Sequence, residues 1–77
     1  AVPAVMNAAN EVAVAAFLDG RIAFTEIVRL VARVARSFQP PDKLGLEQLL
    51  AADRWARDQA TDLVAQASLS TSEVAPV

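Results

Sequence analysis

The stretch from Pro3 to Leu18 constrains the fold of this chain more than any other. Its only polar side chains are Asn7, Asn10 and Glu11. At i, i+3 and i+4 they share one side of a single helical turn. Everything after Glu11 is apolar until Asp19-Gly20. Alanine richness makes such a helix easy to form and lets neighbouring backbones come close. Pro3 suits a first helical turn, and Gly20 suits the left-handed position just past the end. A helix apolar nearly all round is expected to be buried. Leaving a buried amide unpaired costs roughly 2–7 kcal/mol, and a charge costs more. The three polar residues therefore predict a buried hydrogen-bond network that fixes how the helix docks, Asn donating and accepting while Glu accepts. Plain exposure and a direct role in binding substrate or metal are the other readings. Metal binding is the poorer chemistry, since magnesium or manganese favours several carboxylate oxygens and one is present. The chain has no obvious partners for these groups, as expected of a central helix of something larger.

Two further helices follow. Residues 26–38 carry an apolar stripe of Ile27, Leu30, Val31, Val34 and Phe38 at helical spacing, with Thr25 placed as N-cap. Arg29, Arg33 and Arg36 form the opposite stripe, which reads as a solvated face rather than a phosphate cradle. Pro40-Pro41 stops this helix. Between residues 46 and 67, Leu46, Leu49, Leu50, Ala56, Ala60, Leu63, Val64 and Ala67 align on one face. Asp53 can pair with Arg57 at i+4 within one long helix, or cap a new helix starting at Arg54. Trp55, one position off the aliphatic face, reads either as an interface anchor or as cover for the helix edge. From Ser68 onward the chain is polar and non-periodic, and a disordered tail over 68–77 is expected. No strand-like alternation occurs, so the predicted class is all-α.

Size then raises a difficulty. Seventy-seven residues form one small domain, and a chain that short buries only about 60% of its unfolded surface. Yet 55% of the residues are hydrophobic, seventeen of them alanine. Much apolar surface must face another element or another chain. Together with a start at Ala1 rather than Met, this leads us to expect a fragment of a longer polypeptide, with self-association of the isolated piece. The absence of Cys and His excludes thiolate chemistry, disulfides and the usual zinc sites. A net charge of −2, with no aromatic residues between the arginines, argues against nucleic acid. No uninterrupted apolar run reaches membrane-span length, and no basic stretch precedes the apolar run, so no membrane partner and a cytoplasmic location are expected. Nothing resembles a nucleophile–base pair, a Gly-rich phosphate loop or a paired-carboxylate site.

The order of residues carries a resemblance. Asn7-Ala8-Ala9-Asn10-Glu11, an Ala/Val run, Phe17-Leu18-x-Gly20-x-Ile22-x-Phe24-x-x-Ile27, and Leu49-Leu50-x-x-Asp53-x-x-Ala56-Arg57 resemble the C-terminal helical domain of the 1-deoxy-D-xylulose 5-phosphate reductoisomerases over roughly residues 3–67.

The resemblance implies a four-helix bundle whose first helix lies upstream of Ala1, so that residues 1–67 are three or four helices of an incomplete bundle. It favours a break near Asp53. It also implies a parent homodimer that uses NADPH and Mg2+ or Mn2+ to convert 1-deoxy-D-xylulose 5-phosphate to 2-C-methyl-D-erythritol 4-phosphate, in non-mevalonate isoprenoid biosynthesis. The partners of this segment would be the catalytic and cofactor domains of the same polypeptide. No catalytic, cofactor or metal residue maps onto it, and alone it is not expected to be active. Asn7, Asn10, Glu11, Phe24, Ile27, Asp53 and Arg57 are the expected structural and docking residues. The alternative from composition alone is an independent helical interaction module that self-associates or binds a partner helix.

Overall fold

Three helices and no strand make up the described residues of the computed structural model, which are 2–43 and 45–74, with side chains described through Ala67. The all-α expectation holds. Helix α1 spans Val2–Leu18, α2 spans Phe24–Ser37 and α3 spans Leu46–Val74.

Alanine places α1 at the centre. Its buried side chains are Val5, Ala8, Ala9, Ala13 and Ala16, one face at helical spacing. Ala52, Ala56, Ala60 and Val64 are the matching buried set on α3. Ile27, Leu30 and Val34 are those of α2. Methyl side chains at most of these positions let helix axes approach toward the lower end of the usual range of about 8–10 Å. The larger residues that complete the core are Val5, Val34, Val64, Leu30, Ile22 and Ile27.

The connection between α1 and α2 is tight for a definite reason. Gly20 has φ +76°. Its N–H donates to the carbonyl of Phe17 at 2.9 Å, and the Arg21 N–H donates to the carbonyl of Ala16 at 2.9 Å. This is the paired bonding of a Schellman ending, in which glycine bears the left-handed residue without a Cβ penalty. Ile22 then turns inward, 7% exposed. The ring of Phe24 meets Phe17 edge-on, centroids 5.6 Å apart. This returns α2 antiparallel along α1. Because Phe38 at the end of α2 lies against Trp55, near the start of α3, α3 runs back in the direction of α1.

Several expectations are corrected. The N-cap of α2 is Ala23, at φ −79° and ψ 158°, with no side-chain cap. Thr25 lies inside the first turn, because the Phe17–Phe24 contact draws the helix start back. The helix also ends at Ser37, one residue before Phe38. The break near Asp53 is absent, since α3 is one 29-residue helix. Arg57 Nε donates to Asp53 Oδ2 at 2.8 Å, so the carboxylate bonds forward along the helix rather than capping a new one. Leu46, Leu49 and Leu50 do not join the core face and are 73%, 39% and 57% exposed. At about 1.5 Å per residue α3 is about 43 Å long, which accounts for most of the 50 Å long axis. The tail expected over 68–77 falls on residues described only as helical backbone to Val74, and beyond that lies outside the described residues.

Candidate functional site

The three polar residues of α1 stand opposite its alanine face, and all three are exposed. Within this chain none of the three is enclosed, as no polar or charged side chain among the described residues is buried; the partners expected for them lie in a longer polypeptide. Helices α2 and α3 cover the face carrying Val5, Ala8, Ala9, Ala13 and Ala16.

A connected network does exist, at the surface. Asn7 Nδ2 donates to Glu11 Oε2 at 3.0 Å. Arg57 Nη2 reaches the same Glu11 oxygen at 3.4 Å, across 46 residues of sequence. The Arg57 guanidinium is also held by Asp53, from Nε to Oδ2 at 2.8 Å and from Nη2 to Oδ1 at 3.4 Å. One guanidinium thus bridges a carboxylate on its own helix and one on α1, in the forked geometry that arginine permits and lysine does not. Its pKa is raised above the ordinary arginine value, first by the Asp53 hydrogen bond, against desolvation, with the nearby Asp53 and Glu11 charges adding to the rise. Arg57 keeps its charge at any physiological pH, so the bridge persists wherever both carboxylates are ionised.

The spacing of Asp53 and Arg57 is legible in sequence, whereas the link to Glu11 is not. The one available signal is that Glu11, the only acid of an apolar helix, needs a cation from elsewhere.

The remaining expected residues separate. Ile27 lies in the core and Phe24 packs on Phe17 at the surface. Trp55 is half-buried, with its ring 5.5 Å from that of Phe38. Asn10 has no side-chain partner among the described residues. Arg29 and Arg33 of α2 line an open groove of about 450 Å³ between α2 and α3, together with Leu30 and Leu63, while Arg36 lies outside it. Arg29 pairs with Glu26 at 3.5 Å. That is a solvated face, and such pairs contribute little.

No group of three His, Cys, Asp or Glu among the described residues could hold a metal ion. No helix among them is long and apolar enough to cross a membrane. What the site can do is hold α1 and α3 in register and present an adjoining uncharged face.

Residues 1–59 match the family described as the DXP reductoisomerase C-terminal domain. Among curated proteins the chain is similar to three named 1-deoxy-D-xylulose 5-phosphate reductoisomerase. With that of Chlorobium phaeobacteroides strain BS1 it shares 57% identity over 58 residues, 75% of this chain and 15% of the relative. With that of Nocardia farcinica it shares 58% over 65 residues, 82% of this chain and 16% of the relative. With that of Thermomicrobium roseum it shares 54% over 66 residues, 84% of this chain and 17% of the relative. The chain spans about a sixth of the length of the curated relatives it matches. No solved structure matches it.

Proposed function

This chain belongs to the DXP reductoisomerase C-terminal domain family, and we propose that it is the structural and docking domain of a reductoisomerase that converts 1-deoxy-D-xylulose 5-phosphate to 2-C-methyl-D-erythritol 4-phosphate. The parent reaction belongs to non-mevalonate isoprenoid biosynthesis and takes place in the cytoplasm. In this reading the parent is a homodimer. It uses NADPH for the reduction and a magnesium or manganese ion to polarise the substrate carbonyl.

The observation that carries this reading is the family match over residues 1–59, which includes the Asn7–Glu11–Arg57–Asp53 network. The chain's own residues do not fit either cofactor. Among the described residues no three carboxylates gather, several being paired with arginines, and the two glycines stand far apart in the sequence rather than in one phosphate-cradling loop. In this reading the chemistry of the reaction falls to residues outside this segment. The contribution of this domain is mechanical: a rigid three-helix unit that packs on the catalytic and cofactor domains and supports one wall of the active-site region.

The test is a chimaera in which residues 1–77 replace the matching C-terminal segment of the Nocardia farcinica enzyme. NADPH oxidation is followed with 1-deoxy-D-xylulose 5-phosphate. Turnover comparable to that enzyme, absent when the segment is deleted, is the expected result. A folded but inactive chimaera would move the weight to an independent helical interaction module.

A further inference from the structure

The three-helix unit does not present the same chemistry on all sides. The outer surface of α2 beside the groove carries Arg29, Arg33 and Arg36, and the outer surface of α3 carries Arg54, Asp58 and Asp62. The side where α1 and α2 lie together away from α3 is different. Along α1, Met6, Asn10, Val14 and Leu18 recur at every fourth position and so form one row. Along α2, Phe24 and Val28 form the adjoining row, and the Phe17–Phe24 ring contact joins the two helices there. These six positions carry no formal charge, and the α2 row continues through Ala32 to Arg36 at its far end. Leu18, Phe24 and Val28 are 76%, 68% and 71% exposed, and Met6 is 43% exposed. Asn10 sits within this surface with an amide that can both donate and accept and that has no side-chain partner among the described residues.

Resting on the docking-domain reading, we infer that the Met6–Asn10–Val14–Leu18 row and the Phe24–Val28 row together are the surface by which this domain docks on the preceding part of the full-length polypeptide, with Asn10 hydrogen-bonding a polar group of that part. The occupant follows from the comparisons. The matched segment is a C-terminal domain that accounts for 15–17% of its relatives. In those proteins this domain adjoins a much longer stretch of the same polypeptide. A mainly apolar surface holding the Asn10 amide and bordered by the Asn7–Glu11–Arg57 network suits a permanent intramolecular contact, because apolar area gains from dehydration while the unpaired amide needs one matched partner. The charged outer faces of α2 and α3 are suited to stay in water.

The chain has no cysteine, so single cysteines report each face by their rate of maleimide labelling, read by mass spectrometry. Met6→Cys and Val28→Cys are placed on the proposed surface and Asp62→Cys on the charged one. Each is made in the 77-residue chain and in the Nocardia farcinica chimaera. Labelling at positions 6 and 28 is expected to slow by about tenfold or more in the chimaera relative to the chain alone, while position 62 labels equally in both. Equal labelling at 6 and 28 in an active chimaera would overturn the docking surface and leave the docking-domain reading standing. Protection that develops in the chain alone as its concentration rises would assign the surface to a second copy and overturn the occupant named here. As a second variant, Val28→Asp in the chimaera should lower its thermal midpoint, whereas Asp62→Asn should not. A midpoint unmoved by Val28→Asp would also count against the proposal.

Discussion

Arg57 on α3 donates to Glu11 on α1 at 3.4 Å, and this is the one ion pair among the described residues that joins two helices. The others, Asp19–Arg21, Glu26–Arg29 and Asp53–Arg57, are local in sequence. The 2.8 Å bond to Asp53 fixes the guanidinium, so its second contact across to Glu11 requires little further ordering of the side chain. Asn7 Nδ2 donates to the same Glu11 oxygen at 3.0 Å.

Glu11→Gln and Arg57→Gln, alone and combined, form a double-mutant cycle followed by urea unfolding. The coupling is expected to be favourable but small, as for a solvent-exposed pair, and to shrink as salt is added. The single Arg57 change should cost more than the single Glu11 change, because it also strips Asp53 of its partner. A coupling unaffected by salt would show that packing, not charge, joins these residues.

Helix α1 approaches α3 through alanine, and Ala56 is fully buried. Ala56→Leu forces three extra carbons into that contact and should cost about 1–3 kcal/mol in chemical denaturation. Ala65→Leu, on the exposed side of α3, should change stability by less than about 0.5 kcal/mol.

The continuity of α3 at Asp53 is open to a direct test with Arg54→Pro. A proline at the first position of a new helix is tolerated. Inside a continuous helix it removes a hydrogen bond and clashes with the preceding turn, at about 3 kcal/mol or more. Loss of helical circular dichroism and a large fall in the unfolding midpoint are expected. A variant as stable as the parent would place a helix boundary at Asp53.

Ala23 occupies an N-cap position with suitable backbone angles and no side chain to use them. Glu26 stands three residues later, so Ala23→Ser creates a Ser-x-x-Glu capping box. A gain of about 0.5–1 kcal/mol is expected, read as a higher thermal midpoint. A lower midpoint would mean that Glu26 contributes more through its 3.5 Å pair with Arg29 than it can through the cap.

How much of this was legible in the chain itself differs from one residue to the next. Ile27, Leu30 and Val34 were readable as a core stripe because helical spacing alone puts them on one side, and Gly20 was readable because only glycine takes a left-handed backbone without cost. Asp53 and Arg57 were readable as a pair at i+4. Thr25 misled, because cap preference is a local tendency that the Phe17–Phe24 contact outweighed. The break at Asp53 also misled. Nothing within residues 46–67 demands a stop, and the carboxylate bonds Arg57 instead.

Sequence determined the class of this domain, its family and the identity of its central helix, because these depend on the spacing and order of residues along the chain. Only the tertiary structure decided which faces of that helix are covered. Periodicity says that α1 is apolar nearly all round, but not how many neighbours exist to enclose it. With α2 and α3 as its neighbours, the alanine face is buried while Asn7, Asn10 and Glu11 remain in solvent. The same placement brings Arg57 within reach of Glu11, a meeting of residues 46 positions apart that no local rule encodes.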